Sequence, residues 1–160
     1  MNFSEPPATT GGFFYVLFKS MKTMKLINKK ICMGKDIGIH GNVFGGYIMS
    51  WIDEAGAAFA TEYCCTPNMV TLRVGELLFK KPLKAGNHVR LYGDVDHLGN
   101  TSIKINIEAR KFNLYSGEET VVCTTSITFV RIDDDGQPTP IGETVKRNYE
   151  RTKVPEEMMG

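Results

Sequence analysis

The chain has 160 residues, 42% hydrophobic and 23% charged, the composition of one ordinary globular domain, which excludes collagen, coiled coil and wholesale disorder. Nineteen Lys and Arg against eighteen Asp and Glu leave a net charge of +1, so general nucleic-acid binding is not expected.

None of the four cysteines, Cys32, Cys64, Cys65 and Cys123, forms a C-x-x-C pair. A domain of this size needs no disulfide framework, so they read as reduced thiols of a cytoplasmic protein. His40, His88 and His97 are scattered, and no metal site is expected. The apolar run Phe13–Phe18 (FFYVLF) is too short to span a bilayer, and Lys19, Lys22 and Lys25 follow it, the reverse of a secretory signal. Residues 1–33 carry five lysines against Glu5, a net +4. They read as a solvated arm, at most weakly drawn to anionic lipid and without stable membrane insertion. Residues 1–24, with Pro6, Pro7, Gly11 and Gly12, are expected to be a disordered arm. Met21 and Met24 offer later starts of translation.

Lys25–Met33 (KLINKKICM) reads as an edge strand, and 34–44 as a loop with glycines at 34, 38 and 41. The longest helical signal runs from Gly46 to about Glu62. It places Met49, Ile52, Asp53, Gly56, Ala57 and Ala60 on one face. Thr66-Pro67-Asn68 ends it. The period then changes to two. Val70, Leu72 and Val74 form one apolar set, Val89, Leu91, Gly93 and Val95 a second, and Ile103, Ile105, Ile107 and Ala109 a third. A last strand from about Thr120 to Asp133 turns Cys123, Thr125, Ile127 and Phe129 one way. Each pattern describes sheet with one buried and one wetter face. Gly99-Asn100, Ser116-Gly117 and Asp135-Gly136 are turn signals of an antiparallel meander. Residues 141–160 read as a polar, partly helical tail. The fold class is α+β: one long helix against a curved antiparallel sheet of about five to six strands. Open sheet edges favour a homo-oligomer.

Asp53 breaks the apolar pattern. It lies between Met49 and Ala57, and no Lys or Arg occurs from Asp36 through Leu72 to pair with it. A carboxylate carried toward a core without a partner is costly, so such a residue is either capped by hydrogen bonds or functional. Glu54, about 100° further round the helix, reads as solvent-facing or interfacial. The loop Gly38-Ile39-His40-Gly41-Asn42-Val43-Phe44-Gly45-Gly46 runs straight into the helix. Free N–H groups there, with glycines permitting close approach, suit an anion or a developing oxyanion. The glycine spacing is neither a phosphate loop nor a dinucleotide fingerprint, and no G-x-S-x-G elbow is present. Asp94 and Asp96 read as a solvated strand end and Trp51 as packing.

The stretch HGNVFGGYIMSWIDEAGAAFA resembles acyl-CoA thioesterases of the hotdog fold, in the YciA-type and brain-type cytosolic acyl-CoA hydrolase group. The similarity continues through VTLRVGELLFKKPLKAGNHVRLYGDV, where Phe79, Pro82 and Gly86 match a Phe-x-x-Pro-x-x-x-Gly pattern, and on to TTSITFVRIDDDGQP. It covers residues 25–140. The resemblance implies hydrolysis of an acyl-CoA to a free acid and CoA, with CoA as part of the substrate and no further cofactor. It implies a homodimer with active sites at the subunit interface, often assembled further into a trimer of dimers. It assigns Asp53 as catalytic residue, general base on a water or alternatively nucleophile through an anhydride, and the turn Phe44-Gly45-Gly46, with Asn42 beside it, as the helix-start site whose Gly45 and Gly46 N–H groups polarise the thioester carbonyl. Gly99, Asn100, Thr101 and Ser102 match a segment near the CoA. Lys81 is one of several cations available to the phosphates, with Arg73, Lys80, Lys84 and Arg90. One position departs: where the family often has Asn, fifteen residues before the Asp, this chain has Gly38.

Two other readings stand beside it. His40 precedes Glu54 by fourteen residues, a spacing like that of hotdog 3-hydroxyacyl-thioester dehydratases, although the proline-rich turn expected after the histidine is missing. A non-catalytic acyl-CoA sensor would bind without turnover and would normally carry an effector domain.

Overall fold

The computed structural model describes residues 24–153; the arm expected at the N-terminus falls almost wholly outside them, as does 154–160. Strand β1 (Lys25–Ile31) leads through a single 3₁₀ turn (Gly34–Asp36) to helix α1 (Gly45–Cys64). Strands β2 (Met69–Val74), β3 (Leu78–Phe79), β4 (His88–Leu98), β5 (Ser102–Phe112) and β6 (Glu119–Arg131) follow, and helix α2 (Glu143–Lys153) comes last. All six strands form one antiparallel sheet in the order β1-β4-β5-β6-β2, with β3 also pairing with β6.

Strands β4, β5 and β6 make the expected meander. Strand β2 departs from it, crossing to the far side of β6 rather than lying beside the next strand. The two-residue strand β3, too short to show a period, was not foreseen.

The inward sets of β4 and β5 are as the alternation predicts. Val89, Leu91, Ile103, Ile105, Ile107 and Ala109 are all buried, as are Ile127 and Phe129 on β6. Against this face α1 buries Ile48, Trp51, Ile52, Ala55, Gly56, Ala60 and Cys64. The approach is close at Gly56. A Cβ there would stand 2.9 Å from Ile107 Cδ1 and 3.0 Å from Phe129 Cζ, so any side chain would push the helix off the sheet.

Two expectations fail for the same reason. Val70, Leu72 and Val74 are exposed, and so are Met49 and Asp53. Helix α1 lies rotated from the predicted face, with Trp51 and Ala55 inward. Its Met49–Asp53 flank looks toward β2, the last strand of the sheet, where nothing else among the described residues covers either element. A bulge between Thr71 and Arg73 further breaks the alternation of β2.

Helix α1 ends at Cys65, which takes the left-handed conformation (φ 52°) where glycine is usual. Cys65 is exposed; Cys32, Cys64 and Cys123 are buried. Burial pushes those three thiols up to about 11, with Asp36 adding to the effect at Cys32. In the native protein Cys65 is therefore expected to react with a thiol reagent at pH 8, and the other three only on unfolding. The unfolded chain loses these thiol protons first, so stability falls as pH rises from about 8.5 toward 11. Denaturant midpoints across that range check the sign, and a flat profile would contradict it.

Candidate active site

The N-terminus of α1 is built by a tight turn. Gly38 N–H donates to the Asn42 carbonyl (2.8 Å), Val43 N–H to the Leu83 carbonyl (2.8 Å) and Phe44 N–H to the Asp36 carbonyl (2.9 Å). These bonds tie the turn to the 3₁₀ turn and to the segment before β4. Asp36 is itself buried, and its Oδ2 accepts the Met33 N–H at 2.8 Å.

Phe44 occupies the N-cap position and supplies no side-chain hydrogen bond. The first intrahelical donors are Tyr47 and Ile48, both to the Phe44 carbonyl. The Gly45 and Gly46 N–H groups therefore have no partner among the described residues, and they stand at the positive end of a 20-residue helix. A Cβ on Gly46 would lie 2.6 Å from Phe44 Cε1, and one on Gly45 would lie 3.2 Å from Phe79 Cζ. Aromatic rings thus fill the space that side chains would take. A side chain at either glycine would have to displace one of these exposed rings, a contact which the glycine-rich loop alone did not reveal. Phe79 belongs to β3, so the unforeseen strand is what brings this ring to the helix start.

Seven residues further along α1, Asp53 faces a cavity of about 400 Å³ between the helix and β2. Gly46, Met49, Ser50 and Ile52 form its helix side; Thr71, Val74, Leu77 and Ile127 form its sheet side. The lining is apolar except near Asp53. Thr71 Oγ1 donates a hydrogen bond of 2.7 Å to Asp53 Oδ1. The carboxylate is thus neither buried nor unpartnered, as the sequence pattern led one to expect. It is an exposed group fixed in orientation by a threonine. Thr71 was not singled out in the sequence because it sits on the polar phase of an ordinary-looking strand. Only the pairing of Thr71 with Phe129, which packs against Gly56, sets it opposite the Asp53 flank of the helix.

The remaining candidates are dispersed. Asn42 lies in the turn, its carboxamide Oδ1 buried without a partner among the described residues. Nothing clashes where a Cβ on Gly38 would stand, 3.6 Å from the Asn42 carbonyl and from Phe44 Cβ. A Cβ at this position is therefore not excluded by space. Gly99, Asn100, Thr101 and Ser102 form the β4–β5 turn, two strands across the sheet from β2, about 10 Å at ordinary strand spacing. The turn is tied to the C-terminal segment: Ile141 N–H donates to the Asn100 carbonyl and Lys146 Nζ to Asn100 Oδ1, both at 2.8 Å. Lys81 is exposed, two residues beyond Phe79. Arg90 is not available to a substrate phosphate in the way Lys81 is. It pairs with Glu119 at 3.0 Å and stacks on Phe112.

No contact joins His40 and Glu54 among the described residues. His40 is exposed in the turn, and Glu54 is engaged by Lys30 at 3.1 Å. Lys104 holds Asp96 at 2.9 Å on the surface. A larger cavity, about 620 Å³, separates the end of α1 from α2, but its carboxylate, Glu143, is held by Lys146.

Residues 40–118 match the family described as Thioesterase superfamily. The chain is 32% identical over 120 residues to the acyl-CoA thioester hydrolase YciA of Salmonella typhimurium, spanning 73% of this chain and 90% of the relative. It is 33% identical over 129 residues to an uncharacterized acyl-CoA thioester hydrolase of Haemophilus influenzae, spanning 79% and 83%. Among solved structures, HI0827, a hexameric broad specificity acyl-coenzyme A thioesterase, superposes with a TM-score of 0.75 at 30% identity, over 82% of this chain and 96% of that one. Cj0915, a hexameric hotdog fold thioesterase of Campylobacter jejuni, gives 0.69 at 34% identity, over 79% and 96%. With one long helix laid on a six-stranded antiparallel sheet and these similarities along most of its length, the chain belongs to the hotdog-fold thioesterase superfamily.

Proposed function

We propose that the protein hydrolyses acyl-CoA thioesters, with Asp53 as the general base. The observation that carries this reading is the Thr71–Asp53 hydrogen bond at the mouth of an apolar cavity. Thr71 occupies Oδ1, and Oδ2 has no hydrogen-bond partner among the described residues. That oxygen is left to accept a proton from water while the water oxygen attacks the thioester carbonyl. The tetrahedral oxyanion is held by free backbone N–H groups such as those of Gly45 and Gly46. Collapse of the intermediate breaks the carbon–sulfur bond; the acid is released, and the CoA sulfur takes up the proton.

Within one chain Gly46 and Asp53 line the same cavity but do not converge on one point, because helix N–H groups point toward the N-terminus, away from Asp53. Gly46 and Asp53 are seven residues apart on one straight helix, about 10 Å along its axis. A carbonyl oxygen held at Gly46 leaves its carbon out of reach of a water on Asp53 of the same helix. Two copies related by a two-fold axis, packed through the open flank of α1 and the β2 edge, would set Asp53 of one against the helix start of the other. The exposed Val70, Leu72, Val74, Met49 and Tyr47 on these elements supply the apolar surface such a homodimer needs. The hexameric relatives support further assembly into a trimer of dimers. Closure by the second copy would also remove Asp53 from bulk water, the burial anticipated from the sequence.

Asp53→Asn is expected to lower free-thiol release from acyl-CoA at least about a hundredfold in a folded protein. A panel of short, medium and long acyl chains, assayed with the same readout, would give the chain-length range. Wild-type protein that binds acyl-CoA tightly and releases no thiol would overturn the hydrolase reading in favour of a sensor. Thr71→Val should cost about ten- to a hundredfold in kcat, as expected for losing a hydrogen bond to a charged group. Thr71→Ser should restore most of it, an outcome a purely steric role would not give. Co-expression of an Asp53→Asn chain with a Gly46→Val chain tests the shared site. Random pairing makes half the dimers mixed, each with one intact site of two, so about a quarter of wild-type activity should return. No recovery, with mixed dimers shown by mass, would place both groups in one chain.

A further inference from the structure

The registers of β1, β4 and β5 bring one end of the sheet together. On the face turned away from α1, Lys29, Arg90 and Arg110 form one row, and Ile31, His88 and Phe112 the next. Beyond them lies the β5–β6 hairpin, with Leu114 60% exposed and Tyr115 fully exposed; Ile31 and Met33 are about half exposed beside it. A groove of about 340 Å³ runs between Lys29, Ile31, His88, Arg90, Phe112 and Leu114.

The charges at this end are uneven. Glu54 is engaged by Lys30, and Glu119 by Arg90 and Arg110. Hydrogen bonds from Tyr92, Arg110 and Arg90 outweigh the effect of burial on Glu119 and hold its carboxyl below the ordinary value. It stays charged and spent. Lys29, Lys35 and Lys111 have no ion-pair partner among the described residues; Glu118, bonded to Ser116, is the acidic group exposed near them. Exposed aliphatic and tyrosyl side chains at a hairpin tip, with exposed Lys29 on the outer face and half-buried Lys111 on the helix-facing side of the same end, match the layering of a lipid interface. Apolar groups meet the acyl boundary, the phenol sits at headgroup depth, and ammonium groups meet phosphates. This end lies on the β1–β4–β5 side of the sheet, across from the β2 edge through which the proposed dimer forms.

We propose that this end of the sheet is a docking surface for an anionic phospholipid bilayer, with Leu114 and Tyr115 entering the interface and Lys29, Lys35 and Lys111 contacting headgroups. The proposal is independent of the reaction assigned to Asp53. The test is co-sedimentation of the full chain with phosphatidylcholine vesicles and with vesicles containing about one-third phosphatidylserine. Binding is expected only to the anionic vesicles and should be lost at about 0.5 M salt. The double variants Leu114→Ser/Tyr115→Ser and Lys29→Glu/Lys111→Glu should each reduce the bound fraction at least about tenfold. Their circular dichroism, oligomer mass and thiol release from a short, water-soluble acyl-CoA should stay unchanged. Equal binding to neutral vesicles, no binding to either, or unaltered binding by both variants would overturn the proposal. A smaller oligomer in either variant would also overturn it, assigning this end to contact between copies of the chain.

Discussion

The close approach of α1 to the sheet at Gly56 governs where everything else can lie. With Ile107 and Phe129 pressed against a position that has no side chain, the helix has one depth and one rotation on the sheet. That rotation buries Trp51 and Ala55 and turns Asp53 out toward β2. Phe129 pairs with Thr71 in the sheet, so the residue that sets the helix also sets the strand position from which the Asp53 hydrogen bond is made. Packing in the core and geometry at the site are thus one constraint.

The helix start shows the same economy. A conventional N-cap side chain would satisfy the first N–H groups and close them to anything else. Phe44 cannot do this, and its ring instead occupies the space over Gly46. Stability at this end comes from backbone bonds of the turn to Asp36 and Leu83 rather than from a cap. Among the described residues the Gly45 and Gly46 N–H groups stay unpaired, at the positive end of the helix.

The two edges of the sheet differ in character. The β2 edge is open, bulged and lined with exposed aliphatic residues, a poor surface for an isolated chain and a good one for a second copy. The β1 side ends in cations and a hairpin with an exposed tyrosine. Between them, the outward face carries a nearly complete network of Arg90, Tyr92, Arg110, Glu108 and Glu119. The charges within this network satisfy one another.

Period-two alternation in β4 and β5 determined their inward residues, because both strands are interior to the sheet and one face of each is covered by α1. The helix was equally plain, and the run from Phe44 to Asp53 carried the family resemblance. Helical periodicity could not fix the rotation of α1. Asp53 and Met49 lie on the border of the apolar stripe, and the Gly56 contact, made with residues some fifty and seventy positions away, decides which side of the border is inside. Nor could it place β2, whose apolar alternation looks like that of a core strand. The pairing of β2 with β6 leaves it at an edge, uncovered. Thr71, Phe79 and the rings over the glycines have no local signature at all. Their roles arise from strand register and helix depth, which depend on contacts distant in the chain, and only the folded structure brings those contacts together.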